Sequence, residues 1–112
     1  MTTKLLTKAL EAKLPRLYAS EGVPAVEKIA VVKFFSPFSA WRWYAVEGER
    51  QEDGDLLFFG WVNGMDGEWG YFTLSELASA TIRCGGVDVP AVERDLYWQP
   101  TAMAAVLDGT TY

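Results

Sequence analysis

Carboxylates are the only abundant reactive side chains in this chain, because its 112 residues include no histidine and a single cysteine, Cys84. The absence of histidine removes the most common general base, the usual nucleophile pairs, and the usual zinc and iron ligand sets. One cysteine allows neither an internal disulfide nor a cysteine-based zinc site, and no histidine is present to activate its thiol. The residue types therefore predict a protein that is not an enzyme and that uses no cofactor.

The acidic residues form two groups at predicted turns. The first group consists of Glu47, Glu49, Glu52, Asp53 and Asp55, and the second of Asp66 and Glu68. Carboxylate oxygens suit calcium, but neither group has the spaced Asp-x-Asp-x-Asp-Gly pattern of a calcium loop. Successive turns of a meander lie at opposite ends of its strands, about 20 Å apart. We therefore predict no metal site and interpret these acids first as solvated ends of hairpins.

An aromatic segment at residues 33–48 contains six aromatic side chains around a Ser-Pro turn. Alternation along its strand places Trp41 and Trp43 on one face of the sheet and Tyr44 on the other. The predicted helices are too few to cover both faces, so some aromatic side chains should stay exposed and mark a partner site. We predict that Trp41, Trp43 and Tyr44, together with the first acidic group, bind the partner.

The composition is that of a soluble globular protein, with 50% apolar and 22% charged residues. This length predicts a single domain over residues 1–112. No segment resembles a signal peptide, and no apolar run approaches the roughly 20 residues that a membrane span needs. We expect a cytoplasmic protein with no membrane association, and the single cysteine agrees with a reducing compartment.

Charge is distributed unevenly along the chain. Residues 1–46 carry seven basic and three acidic side chains, whereas residues 47–112 carry three basic and twelve acidic ones, for a total of −5. Lys33 and Arg42 flank aromatic residues, as in single-strand binders, but the acidic total would repel phosphates. We therefore expect no direct nucleic-acid binding, and a partner with a basic surface instead.

The elements that would position these residues can be predicted from periodicity. Leu6, Leu10 and Leu14 recur every four residues and predict an amphipathic helix of about three turns, capped by Thr2 or Thr3. Strands are predicted at residues 27–35, 41–47, 56–62 and 69–72, a loop at 48–55, a helix at 73–79, an edge strand at 93–98 and a helical turn at 100–107. The fold class is α+β, a mainly antiparallel twisted sheet of four to five strands with the N-terminal helix and one or two short helices packed on it.

The order of short motifs resembles the domain-of-unknown-function family 2958. The motifs are Leu5-Leu6-Thr7-Lys8, Val32-Lys33-Phe34-Phe35-Ser36-Pro37, Trp41-Arg42-Trp43-Tyr44, Asp55-Leu56-Leu57-Phe58-Phe59-Gly60, Gly70-Tyr71-Phe72-Thr73-Leu74-Ser75-Glu76-Leu77 and Glu93-Arg94-Asp95-Leu96-Tyr97-Trp98. The resemblance implies a small bacterial protein carried on phages, plasmids or integrative elements, and it implies no mechanism.

These observations together predict a non-catalytic accessory protein of a mobile element. We expect it to bind a host protein or nucleoprotein complex, as a monomer or weak homodimer, and to inhibit a defence complex as anti-CRISPR or antirestriction factors do. The alternative is a small-ligand or nucleotide-binding module with an aromatic pocket. A deep aromatic pocket with convergent polar groups would favour the ligand, whereas a flat acidic and aromatic face would favour protein binding.

Overall fold

The computed structural model describes residues 4–109, which adopt an α+β fold. Within these residues, the helices are α1 (Lys8–Lys13), α2 (Leu74–Ser79) and α3 (Met103–Leu107). The strands are β1 (Ile29–Ala30), β2 (Val32–Phe35), β3 (Arg42–Arg50), β4 (Leu56–Asn63), β5 (Gly67–Thr73), β6 (Thr81–Cys84), β7 (Val87–Pro90), β8 (Glu93–Arg94) and β9 (Thr101–Ala102). The predicted fold class is confirmed.

A five-stranded antiparallel sheet in the order β5-β4-β3-β2-β8 forms the centre of the fold. The strands predicted at 41–47, 56–62 and 69–72 are confirmed as β3, β4 and β5. The strand predicted at 27–35 is divided, because residues 25–27 form a 3₁₀ turn and β1 pairs with β9 instead of joining the central sheet. The predicted edge strand at 93–98 shortens to the two residues of β8.

Helix α1 is shorter than predicted. Thr7 caps it, accepting a hydrogen bond from the backbone N–H of Leu10 at 3.2 Å, and the predicted caps Thr2 and Thr3 lie outside the described residues. The helix ends at Lys13 because Pro15 disfavours a helical backbone at Leu14, which is extended. Leu6 precedes the helix and Leu14 follows it, and both side chains are buried. Leu10, within the helix, is only partly buried.

Each face of the sheet has its own apolar cluster. The first face carries Phe34, Ala45, Phe58 and Phe72, which pack against Leu6 and Leu14 and against Leu77 of α2. The second face carries Tyr44 and Val46, which pack against Met103 and Val106 of α3, with Phe59, Trp61, Trp69 and Trp98 partly buried beside them. The predicted placement of Trp43 and Tyr44 on opposite faces is confirmed.

A β-bulge in β3 changes which side chains reach the second face. The register against β4 shifts between Ala45 and Glu47, so Glu47 lies opposite Phe59. Without the extra residue, Glu47 would alternate onto the first face with Ala45. Pairing then continues to Arg50, so the loop predicted at 48–55 is wrong for residues 48–50, and only the turn at 51–55 remains.

Candidate functional site: an aromatic surface on two strands

Two of the side chains predicted to bind a partner are buried, so the expectation that they are accessible is wrong. Tyr44 is 1% exposed and packs against Trp98, with ring centroids 5.6 Å apart. Glu47 is 3% exposed. The strand alternation placed Tyr44 on the second face, but it did not show that Trp98 and α3 cover this part of the face.

Glu47 holds the loop that follows α1. Its carboxylate accepts hydrogen bonds from the backbone N–H groups of Tyr18, at 2.8 Å, and Ser20, at 3.0 Å, and from the Ser20 hydroxyl. Burial would raise the pKa of Glu47, but these hydrogen bonds and the nearby charge of Lys28 lower it below its ordinary value. The backbone of Tyr18 has a φ of +69°, a left-handed conformation that Glu47 helps to hold. Glu47 is thus a structural anchor.

The other acids of the first group differ in accessibility. Glu49 is partly buried and accepts a hydrogen bond from the Leu17 N–H at 3.3 Å. Asp55 accepts hydrogen bonds from the backbone N–H and the hydroxyl of Ser75, in the first turn of α2. The bond from the Ser75 hydroxyl is the main cause that lowers the pKa of Asp55. Glu52 and Asp53 are exposed in the 51–55 turn. Within this acidic group, Glu52 and Asp53 are therefore exposed, whereas Glu49 and Asp55 remain partly accessible.

Trp41 and Trp43 lie together, with ring centroids 5.9 Å apart, and Trp43 packs against the first-face cluster. Trp41 is 41% exposed, and its ring lies close over Gly64. These two residues are therefore on the face opposite to Tyr44, as alternation predicted, and the three do not form one site.

A different set of aromatic side chains forms the largest continuous aromatic contact on the described sheet. Phe59, Trp61, Trp69 and Tyr71 lie on the second face where β4 pairs with β5, and we call them the aromatic surface. Phe59 stacks on Trp69 at 5.7 Å and meets Tyr71 at 5.1 Å, while Trp61 meets Trp69 edge-on at 5.5 Å. The first three are partly buried, and Tyr71 is 51% exposed.

The sequence contained the signal for this aromatic surface. The alternation of Trp69 and Tyr71 in β5 matches that of Phe59 and Trp61 in β4, and the antiparallel pairing of these two strands brings the four rings to one face. The sequence predicts the partner site on β3 because the aromatic residues are densest there. The number of aromatic residues along a segment does not indicate that β3 lies in the middle of the sheet, where neighbouring elements cover side chains such as Tyr44.

Tyr18 extends this surface at its margin. A hydrogen bond between the side chains of Tyr18 and Tyr71 raises the pKa of Tyr71, and partial desolvation and the carboxylates of Glu47 and Glu21 raise it further. The Tyr71 hydroxyl therefore stays protonated at neutral pH, and its proton is shared with Tyr18. Because Tyr18 is 64% exposed, the accessible rim of the aromatic surface carries two phenol groups.

Lys33 is a buried cation at the other side of the second face. Its side chain is 7% exposed, its Nζ lies 3.4 Å from Asp95, and it is 5.9 and 5.5 Å from the ring centroids of Tyr44 and Trp98. Burial lowers the pKa of Lys33, while Asp95 opposes this effect. Lys33 thus forms a buried ion pair with Asp95 beside two aromatic rings, and its charge is not accessible to a partner.

The first face carries an open apolar cavity of about 680 Å³ between the N-terminal segment, α2 and the β6–β7 hairpin. Its lining is mainly aliphatic, with Phe38 as its aromatic residue, and Lys4 and Glu93 are its ionisable groups apart from the exposed Cys84. A drug-sized ligand fits such a volume. The cavity is therefore not the aromatic pocket that the sequence offered as an alternative.

Across residues 4–109, no group of three or more histidine, cysteine, aspartate or glutamate side chains has the geometry to hold a metal ion. None of the helices in that range is long and apolar enough to cross a membrane.

The comparison with protein families gave one match. Residues 5–108 match the model of the family described as Protein of unknown function (DUF2958). The chain belongs to this family. No curated protein and no solved structure matched it. Membership in DUF2958 confirms the resemblance that the short motifs indicated.

Proposed function

We propose that this DUF2958 chain is a protein-binding domain that contacts its partner through the aromatic surface and catalyses no reaction. The observation that carries the proposal is the group of four touching, partly exposed rings on β4 and β5. Large aromatic side chains with a polar tip dominate the affinity of many protein interfaces. Tyr71 and Tyr18 supply such tips beside an apolar centre formed by Phe59, Trp61 and Trp69.

The surrounding charges support a basic partner. The exposed acids Glu52 and Asp53 lie in the β3–β4 turn, at the end of β4 that is nearer to Phe59 and Tyr71. The chain carries a net charge of −5. Exposed charges at the rim of an interface mainly raise the association rate and its sensitivity to salt, and they contribute less to the lifetime of the complex. We assign Glu52 and Asp53 this steering role.

The more specific part of the proposal is that the partner belongs to a host defence complex, which the protein inhibits in the manner of an anti-CRISPR or antirestriction factor. Its support is the mobile-element setting that the family resemblance implies, together with an acidic surface able to occupy a basic site. The partner would be a protein or nucleoprotein complex.

Affinity capture with three immobilised forms of the protein tests the proposal. Wild type and Trp41→Ala should retain a common bacterial protein that Tyr71→Ala loses. Trp41 is the matched control because it is an aromatic residue of similar exposure on the opposite face. Recovery of the same proteins by all three forms would contradict binding through the aromatic surface. A retained protein from outside any defence complex would overturn the more specific part alone.

A second candidate function is the binding of a small apolar ligand, which the first-face cavity favours. Ala78 lines this cavity from α2, where it is exposed. If the cavity binds such ligands, 1-anilinonaphthalene-8-sulfonate should fluoresce in the presence of the folded protein, and Ala78→Trp should abolish that signal by filling the space. An unchanged signal in Ala78→Trp, or no signal with wild type, would contradict the ligand function.

A further inference from the structure

One edge of the central sheet is long and unprotected. β5 is the terminal strand at that edge, and its seven residues pair with β4 through an uninterrupted ladder. The opposite edge is the two-residue strand β8. Natural proteins protect sheet edges with lysine, proline, bulges or very short strands. β5 has none of these devices, and Glu68 is its only charged residue.

We propose that β5 pairs in antiparallel register with β5 of a second copy of this chain, around a two-fold axis at Gly70. This register uses all seven residues, because Gly70 is the central residue of Gly67–Thr73. It places Trp69 opposite Tyr71, Glu68 opposite Phe72 and Gly67 opposite Thr73. Glu68, the only charged residue of the strand, therefore does not lie opposite Glu68 of the second copy. This favours the register, because like charges at directly opposite positions destabilise a sheet.

A side chain at Gly70 would project from the face of the sheet and not along its edge, and the space on that face is open, so the position accepts the substitutions that test the pairing. No atom lies within 4 Å of the position that a Cβ on Gly70 would take. In the paired strands, Trp69 and Tyr71 of both copies lie on the same face of one ten-stranded sheet, because residues directly opposite each other share a face. The two aromatic surfaces then become continuous. This inference goes beyond the proposed function, because a monomer could bind a partner through the same four rings.

The dimer should respond to salt in the opposite sense to a complex with a basic partner. Each copy carries a net charge of −5, so the two copies repel each other at low ionic strength. Added salt screens this repulsion and should strengthen the pairing. The same salt should weaken binding to a basic partner, so the failure of either proposal can be recognised without the other.

Sedimentation equilibrium of the purified chain tests the pairing. Wild type should dimerise as its concentration rises through the micromolar range, and Gly70→Lys should weaken the dimer by about tenfold or more, because two lysines then face each other. Gly70→Glu should weaken it in the same way. An equimolar mixture of the two variants should restore a heterodimer, since a lysine on one strand would then lie opposite a glutamate on the other.

Tyr97→Lys is the matched control, because it adds the same charge at an exposed position beside β8, at the opposite edge of the sheet, and should leave dimerisation unchanged. A monomeric wild type at all concentrations would overturn the proposal even if a variant failed to fold. It would also be overturned if Gly70→Lys dimerised as well as wild type, if Tyr97→Lys disrupted the dimer equally, or if the mixed variants stayed monomeric.

Discussion

Replacing Glu47 by alanine should lower the free energy of unfolding by about 3–5 kcal/mol, as expected when one member of a buried, charged hydrogen-bond network is removed. The substitution leaves the N–H groups of Tyr18 and Ser20 without their acceptor, and it removes the carboxylate beside Lys28. Urea unfolding would measure the loss. Glu52→Ala is the control, because it removes an exposed acid from the same acidic group, and should change stability by less than about 0.5 kcal/mol.

The pH dependence of stability should identify the same carboxylate. The pKa of Glu47 is lower in the folded protein than its ordinary value of 4.5, so the ionised form stabilises the fold above that value. This contribution is lost as the pH falls through the lowered pKa. Glu47→Gln should therefore be less stable than wild type at pH 7, and the difference should shrink with acidification. A difference that is independent of pH would contradict the role assigned to the charge.

Gly60→Ala should destabilise the fold by about 3 kcal/mol or more, because the added methyl group overlaps the backbone of the neighbouring strand. A Cβ at Gly60 would lie 1.8 Å from the carbonyl oxygen and 2.8 Å from the carbonyl carbon of Tyr44. No change of side-chain rotamer relieves a contact with backbone atoms. The strand must instead move at the β3 bulge, which sets the position of Glu47.

Gly70→Ala is an internal comparison for this substitution, because Gly70 is the residue paired with Gly60 on β5. Its Cβ would meet no atom within 4 Å, so the substitution should be neutral or stabilise by about 0.5 kcal/mol through the unfolded state. Unfolding of both variants by urea at low protein concentration would measure the contrast. Equal losses for the two variants would show that the close approach of β3 and β4 at Gly60 is not what determines stability there.

Local pattern was sufficient to predict the three long strands of the central sheet. β3, β4 and β5 follow from alternating apolar residues separated by turn signals, and the Thr73 and Glu76 capping spacing correctly predicts α2. The helix at the start of the chain shows where pattern was insufficient. The four-residue spacing of leucines continues through Leu6 and Leu14, but Thr7 and Pro15 end the helix between them.

The candidate site depended on contacts that are distant in sequence. The sequence predicts Glu47 as the last residue of the strand at 41–47, at the solvated end of a hairpin, yet the bulge after Ala45 turns it towards the backbone of Tyr18 and Ser20. Strand alternation predicts Tyr44 as an exposed residue, but Trp98, which is distant in sequence, packs on its ring. Neither the bulge nor the contact with Trp98 leaves a periodic signal near the residues that it buries.

The dissociation rate of the captured partner tests the central claim, contact through the aromatic surface, most directly. Surface plasmon resonance with purified partner would compare wild type, Tyr71→Ala and Trp41→Ala. Loss of a desolvated aromatic anchor should make the Tyr71→Ala complex dissociate about tenfold faster or more, with the association rate nearly unchanged. Trp41→Ala should match wild type. A Tyr71→Ala complex that dissociates at the wild-type rate, while Trp41→Ala dissociates faster, would contradict the account.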